Sequence, residues 1–135
     1  MIFDVFTDSY NPVFVNNIQG SYAHDVFAKG NNMYSSNLTN GLQIFDIANK
    51  VDIQLEGVQT TPFNFTHNAW VSENGNFVFT TDEQSDAYLA AYNITNINNI
   101  QEVDRIQSNP GSLSIPHNTH VDGNFLITSY YRDGT

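Results

Sequence analysis

The feature that most constrains this chain is a motif that occurs three times. His24-Asp25-Val26-Phe27-Ala28-Lys29-Gly30-Asn31 aligns without gaps on His117-Asn118-Thr119-His120-Val121-Asp122-Gly123-Asn124. His67-Asn68-Ala69-Trp70-Val71-Ser72-Glu73-Asn74-Gly75-Asn76 matches both once two extra residues are allowed before its Gly-Asn. Self-similarity at this period is the signature of stacked supersecondary units, each too small to bury its apolar face alone. An insertion before Gly-Asn is where a turn would absorb it.

Each motif is followed by a short β-rich run: Met33 to Ser36, Phe77 to Thr81, and Phe125 to Tyr130. Aromatic and β-branched residues bounded by Gly and Asn read as strands. A second repeated element, Leu42-Gln43-Ile44-Phe45-Asp46-Ile47, is matched by Leu89-Ala90-Ala91-Tyr92-Asn93-Ile94, with Ile2-Phe3-Asp4-Val5 as a third copy. A last strand closes each unit, over 13–18, 52–59 and 102–107. The stretch 96–103 carries only a weak helical signal and reads as a turn.

Four short strands per unit, with His24 and His67 separated by 43 residues and His67 and His117 by 50, is the anatomy of a propeller blade. The expected fold is therefore all-β and β-propeller-like, with four-stranded antiparallel blades of 43–50 residues. Residues 1–20 end one blade, 21–63 and 64–113 form whole blades, and 114–135 start the next, all within a single partial propeller region. A propeller needs at least about four blades to close, so the chain reads as a fragment, with the remaining blades of the same parent chain as its first partner.

Composition narrows the function classes. Charged residues are 13% of the chain, against about a quarter in ordinary domains. Four Lys plus Arg stand against fourteen Asp plus Glu, for a formal net charge of -10. Nothing basic is available to replace phosphate counterions, which argues against a nucleic-acid partner. No cysteine is present, so disulfide frameworks and thiolate metal sites are excluded. No apolar run reaches the roughly 20 residues of a membrane-spanning helix, and the first residues lack a basic region followed by an apolar core. An export signal, if used, is expected upstream.

His24-Asp25-Val26, Gly30-Asn31 with Tyr34, Gly41 to Ile47, Thr66-His67-Asn68-Ala69-Trp70, and the closing Asn109-Pro110-Gly111, Ile115-Pro116-His117-Asn118 and Ser129-Tyr130-Tyr131-Arg132-Asp133-Gly134 together resemble the LVIVD-repeat proteins, and within them the choice-of-anchor B group of secreted bacterial proteins. The resemblance spans about residues 21–135. It implies a propeller-like repeat protein, exported and held at the cell surface by a sorting tail outside this stretch, and it implies no particular activity. The repeat cores here depart from Leu-Val-Ile-Val-Asp. The paired His117 and His120 and the repeated His-Asp/Asn are also similar to the selenium-binding protein propellers, whose relatives include a copper-dependent thiol oxidase.

His24, His67 and His117 hold equivalent positions at the entry to each unit's innermost strand, so three imidazoles are expected to converge and could ligate Cu, Zn or Fe, with His120 as a fourth candidate. His120 lies three residues past His117, and an extended strand would turn the two to opposite faces. The leading reading of the three is architectural, each His hydrogen-bonding the neighbouring unit while Asp25, Asn68 or Asn118 fixes a turn. Asp82, Glu83 and Asp86 offer hard oxygens suited to Ca²⁺, without the spacing of a twelve-residue calcium loop; a solvated loop is the alternative. Trp70 is a candidate carbohydrate platform, against inter-unit packing. Tyr130, Tyr131 and Arg132 are candidates for a ligand-contacting rim. Three Asn-x-Thr sequons begin at Asn37, Asn64 and Asn93, as expected by chance in so Asn-rich a chain.

No nucleophile-histidine-acid order, phosphate loop or His-Glu-x-x-His pattern is found at diagnostic spacing. The leading expectation is a secreted or cell-surface repeat protein that binds a protein or glycan partner without catalysis. The alternative is a metal-dependent copper, iron or zinc oxidoreductase with the histidines at a central channel. A structural part in a surface assembly is a third.

Overall fold

The computed structural model describes all 135 residues. The chain is all-β, with four antiparallel sheets and a single short 3-10 turn at Ile97–Asn99. β1 (Ile2–Asp4) and β2 (Val13–Asn16) form a two-stranded sheet. β3 (Asp25–Lys29), β4 (Asn32–Ser36), β5 (Leu42–Asp46) and β6 (Gln54–Gln59) form a four-stranded meander. β7 (Thr66–Val71), β8 (Phe77–Asp82), β9 (Leu89–Asn93) and β10 (Gln101–Ile106) form a second, and β11 (Pro116–Asp122) pairs with β12 (Phe125–Tyr130). The segment 96–103 divides between the 3-10 turn and the start of β10.

The repeated Gly-Asn pairs are hairpin loops. Gly30 and Gly123 take φ of +60° and +57° at the first of two loop positions, a left-handed conformation that glycine reaches without steric cost. The second unit's insertion lengthens its loop to residues 72–76, where Gly75 holds φ at +75° and Ser72 N–H donates to the Phe77 carbonyl.

The two four-stranded sheets pack face to face. Tyr34, Leu42 and Ile44 from the first meet Ala69, Val71, Val78, Ala90, Tyr92 and Ile94 from the second. The strand alternation puts Leu42 and Ile44, or Val78 and Thr80, on one face by their two-residue spacing. Each fully buried aliphatic side chain contributes about 1.5–3 kcal/mol. A backbone clamp adds to this contact, since Leu38, at φ +51°, and Thr66 exchange both N–H···O=C bonds at 3.0 and 3.1 Å.

β7 lies between β3 and β11, and side chains at matching positions of the three strands meet in rows. At the strand entries His24, His67 and His117 lie ring against ring. One residue on, Asn68 Nδ2 donates to Asp25 Oδ2 at 2.7 Å, and the backbone N–H of Thr119, two residues past His117, donates to Asn68 Oδ1 at 2.9 Å. Two further on, Phe27 stacks on Trp70 at 4.0 Å and Trp70 meets His120 at 4.5 Å.

At Gly57 the sheet contact leaves no room for a single methyl group. β6 bulges between the partners of Ile44 and Phe45, and Gly57 beside the bulge packs on the 3-10 turn, where an added Cβ would lie 2.8 Å from both Ile97 Cγ2 and the Ile97 carbonyl oxygen. The Gly57→Ala protein should lose about 1–3 kcal/mol, read as a lower urea midpoint with unchanged slope. An unchanged midpoint would show that the turn moves aside freely.

Candidate metal centre

The three entry histidines form a continuous cluster. Ring centroids are 4.4 Å apart from His24 to His67 and again from His67 to His117. His67, in the middle, is 7% exposed, whereas His24 is exposed and His117 half-buried. Irregular pairing places His67 and His117 at bulges, between Thr66 and Asn68 and between Pro116 and Thr119. Bulges re-aim side chains that a regular ladder would alternate.

Glu83 completes the cluster. Its Oε2 is 3.5 Å from His67 Nε2 and its Oε1 is 4.0 Å from His117 Nε2. Donor atoms of His24, His67 and Glu83 all lie within 4.8 Å of one another. Metal–nitrogen bonds of about 2.0–2.1 Å put neighbouring donors roughly 3.3 Å apart around a tetrahedral ion, so modest side-chain rotation would close the set.

Hydrogen bonding fixes the tautomer of the central histidine. His67 Nδ1 is 3.2 Å from the His117 carbonyl oxygen. A carbonyl only accepts, so Nδ1 carries the proton and donates, and in the neutral ring Nε2 presents its lone pair toward Glu83. Burial lowers the His67 pKa from the usual histidine value, and the neighbouring His117 and His24 add to the effect; Glu83 opposes it but burial dominates. In the neutral ring an Nε2 lone pair therefore faces a carboxylate, acceptor to acceptor.

Asp82 and Glu83, adjacent in sequence, have separate duties. Asp82 is fully buried and accepts from Thr61 Oγ1 at 2.5 Å, Phe63 N–H at 2.7 Å and Phe65 N–H at 3.3 Å. Burial raises its pKa above the ordinary carboxylate value, with the three hydrogen bonds pulling the other way. Asp86 accepts from Leu113 N–H at 2.8 Å. Asp82, Glu83 and Asp86 thus aim at three different places, and the calcium arrangement read from their spacing does not assemble.

The other candidates are dispersed. His120 abuts Trp70 rather than His117. Trp70 is itself packed between Phe27 and His120. Tyr131 joins the histidine cluster, its ring 5.1 Å from that of His117 and its hydroxyl donating to Glu83 Oε1 at 2.5 Å. Tyr130 is half-buried in the strand end, its N–H bonded to the Gly134 carbonyl, and Arg132 donates to the Ser112 carbonyl at 2.9 Å.

The role of Glu83 beside the histidines was not apparent from its acidic neighbours. The repeat itself carried the signal. Leu38 lies fourteen residues past His24, Tyr131 fourteen past His117, and Glu83 sixteen past His67, the two-residue insertion accounting for the difference. Glu83 and Tyr131 share the same backbone tie, each N–H donating to the carbonyl two residues before its histidine, Phe65 or Ile115.

The chain matches no protein-family model and no curated protein.

The arrangement assigns Asp82 a holding role that can be measured separately from the cluster. In Asp82→Asn an amide N–H₂ must face at least one of the three donors, leaving a buried N–H or O–H unsatisfied. The cost should be about 1–3 kcal/mol, seen as a lower thermal and urea midpoint. A midpoint within error of the parent protein would mean that the three donors find other partners.

Proposed function

We propose that this protein is an exported β-propeller-type repeat protein whose entry histidines, with Glu83, bind one transition-metal ion. The observation that carries the reading is the confrontation of the His67 Nε2 lone pair with the Glu83 carboxylate at 3.5 Å, with His67 Nδ1 locked as a donor on the His117 carbonyl. Two acceptors held together in a largely buried place are mutually repulsive unless a cation lies between them. A metal-ligating histidine whose other ring nitrogen donates to a backbone carbonyl is the usual outer-shell arrangement at such centres.

The donor set points to the class of ion. Neutral imidazole with one carboxylate suits Zn, Cu or Fe, and two histidines with a carboxylate and open positions is the set used by non-haem iron(II) centres. Hard ions such as Ca²⁺ prefer an all-oxygen shell, which this cluster does not offer. The chain's net charge of -10 raises the local concentration of cations around it.

Iron or copper in such a set gives an oxidoreductase reading, and zinc gives a Lewis acid. In either case the protein's part is to hold His67 neutral, orient it through His117 and supply Glu83 as the compensating charge. The propeller reading is supported by the meander sheets of repeated sequence and the rows that join β3, β7 and β11. The extracellular or cell-surface location rests on the resemblance to the choice-of-anchor B group.

Dialysis of the whole purified chain against Zn²⁺, Cu²⁺ or Fe²⁺ under non-oxidising conditions, followed by elemental analysis, tests the metal reading. One ion per chain should be retained, and His67→Ala should weaken retention at least tenfold while the circular dichroism spectrum is kept. Sub-stoichiometric metal in the parent protein, indifferent to chelators, would overturn it.

A further inference from the structure

The two oxygens of Glu83 are not equivalent. Oε2 faces His67 Nε2 at 3.5 Å, while Oε1 accepts the Tyr131 hydroxyl at 2.5 Å and lies 4.0 Å from His117 Nε2. A phenol donating to a carboxylate is a charge-assisted hydrogen bond, stronger than one between neutral groups. Tyr131 is the one residue whose side chain donates to this carboxylate, and its own backbone is tethered through its N–H to the Ile115 carbonyl at 3.1 Å. Its phenol is therefore aimed by the strand end rather than free to swing.

We infer that Tyr131 is a positioning residue for the metal centre: by engaging Oε1 it presents Glu83 to the ion through Oε2 alone and keeps one coordination position open for a small exogenous ligand. The inference rests on the metal reading above. Its chemistry is simple. A carboxylate oxygen that shares its lone pair with a phenol proton is a poorer donor to a metal, and rotation of the carboxylate into a chelating pose would break the hydrogen bond. Monodentate Glu83 with His24 and His67, and His117 at the next distance, leaves the shell unfilled on the side of the exposed His24 and Tyr131. A water molecule or a small anion such as azide fits that position; a buried, closed set would not admit either.

The same geometry explains why Glu83 and Tyr131 occupy matching places in consecutive units. Each directly follows the last residue of its second strand, and each is tied near the entry histidines by the same backbone bond. One unit supplies the ligand and the next supplies the group that orients it. Leu38, at the matching place in the first unit, has no polar side chain to contribute and instead clamps Thr66.

Titration of the whole chain with Co²⁺, followed by visible absorption with and without azide, tests this. The parent protein should show the intense absorption of a low-coordinate ion and a spectral change when azide adds. Tyr131→Phe, which removes only an exposed hydroxyl, should bind Co²⁺ about 10–100-fold more weakly, with the weaker bands of a higher-coordinate ion and a lost or reduced azide response. Glu83→Gln serves as the ligand-loss comparator. If Tyr131→Phe matches the parent in affinity, bands and azide response, or loses affinity with bands and azide response unchanged, the inference is overturned while the metal reading stands. If the parent binds no Co²⁺, or Glu83→Gln binds it as tightly, the metal reading fails and this inference falls with it.

Discussion

The interaction on which the structure depends is the side-chain bridge between neighbouring entry strands. β3, β7 and β11 belong to different sheets and cannot continue one backbone ladder, yet each would leave polar groups buried at the contact if nothing joined them. Asp25, Asn68 and the Thr119 N–H solve this in sequence: acid to amide, amide to backbone. An amide can donate to one neighbour and accept from the other, which an ionised carboxylate cannot, and this suits Asn rather than Asp to the middle strand. Because these bonds fix strand to strand, the histidines that lie one residue before Asp25 and Asn68 and two before Thr119 are held side by side.

That registration is what converts a repeat into a site. A histidine on a lone strand end would be a solvated imidazole. Three placed side by side and 4.4 Å apart are forced to share solvation, and the middle one is left with almost none. Asp82 secures the far side of the arrangement by gathering the 61–65 loop against the end of β8. The adjacent Glu83 can therefore point out of the sheet without losing its place. Two neighbouring carboxylates thus divide the work, one buried to hold the backbone and one half-buried to face the histidines.

Much of this was legible in the sequence, because the repeat carries strand order, hairpin loops and the equivalence of His24, His67 and His117 directly. What the sequence hid was partnership across units. Asp82, Glu83 and Asp86 look like one acidic cluster when read along the chain, but strand termination at Asp82 and the positive φ of Asp86 at +55° turn the three apart. Trp70 reads as inter-unit packing from its strand position, but that Phe27 and His120 are its partners shows only when the flanking strands are in place. Contacts between units depend on which matching positions face one another, and composition says nothing of that.

The scarcity of basic residues gives the cluster its chemical direction. The chain has four Lys plus Arg, and each is engaged elsewhere. Lys29 pairs with Glu73 at 3.2 Å, Arg105 with Glu102 at 2.6 Å, Lys50 donates to the Ile47 carbonyl and Arg132 to the Ser112 carbonyl. None reaches Glu83. The phenol of Tyr131 supplies a proton's worth of hydrogen bonding to one oxygen but no positive charge, and His67 is driven toward neutrality by its burial. A carboxylate facing imidazole lone pairs is unfavourable, and no Lys or Arg of this chain lies against Glu83 to relieve it. On the proposed reading a metal ion supplies the charge that balances Glu83, and nitrogen donors poised around one carboxylate oxygen suit an ion that accepts both.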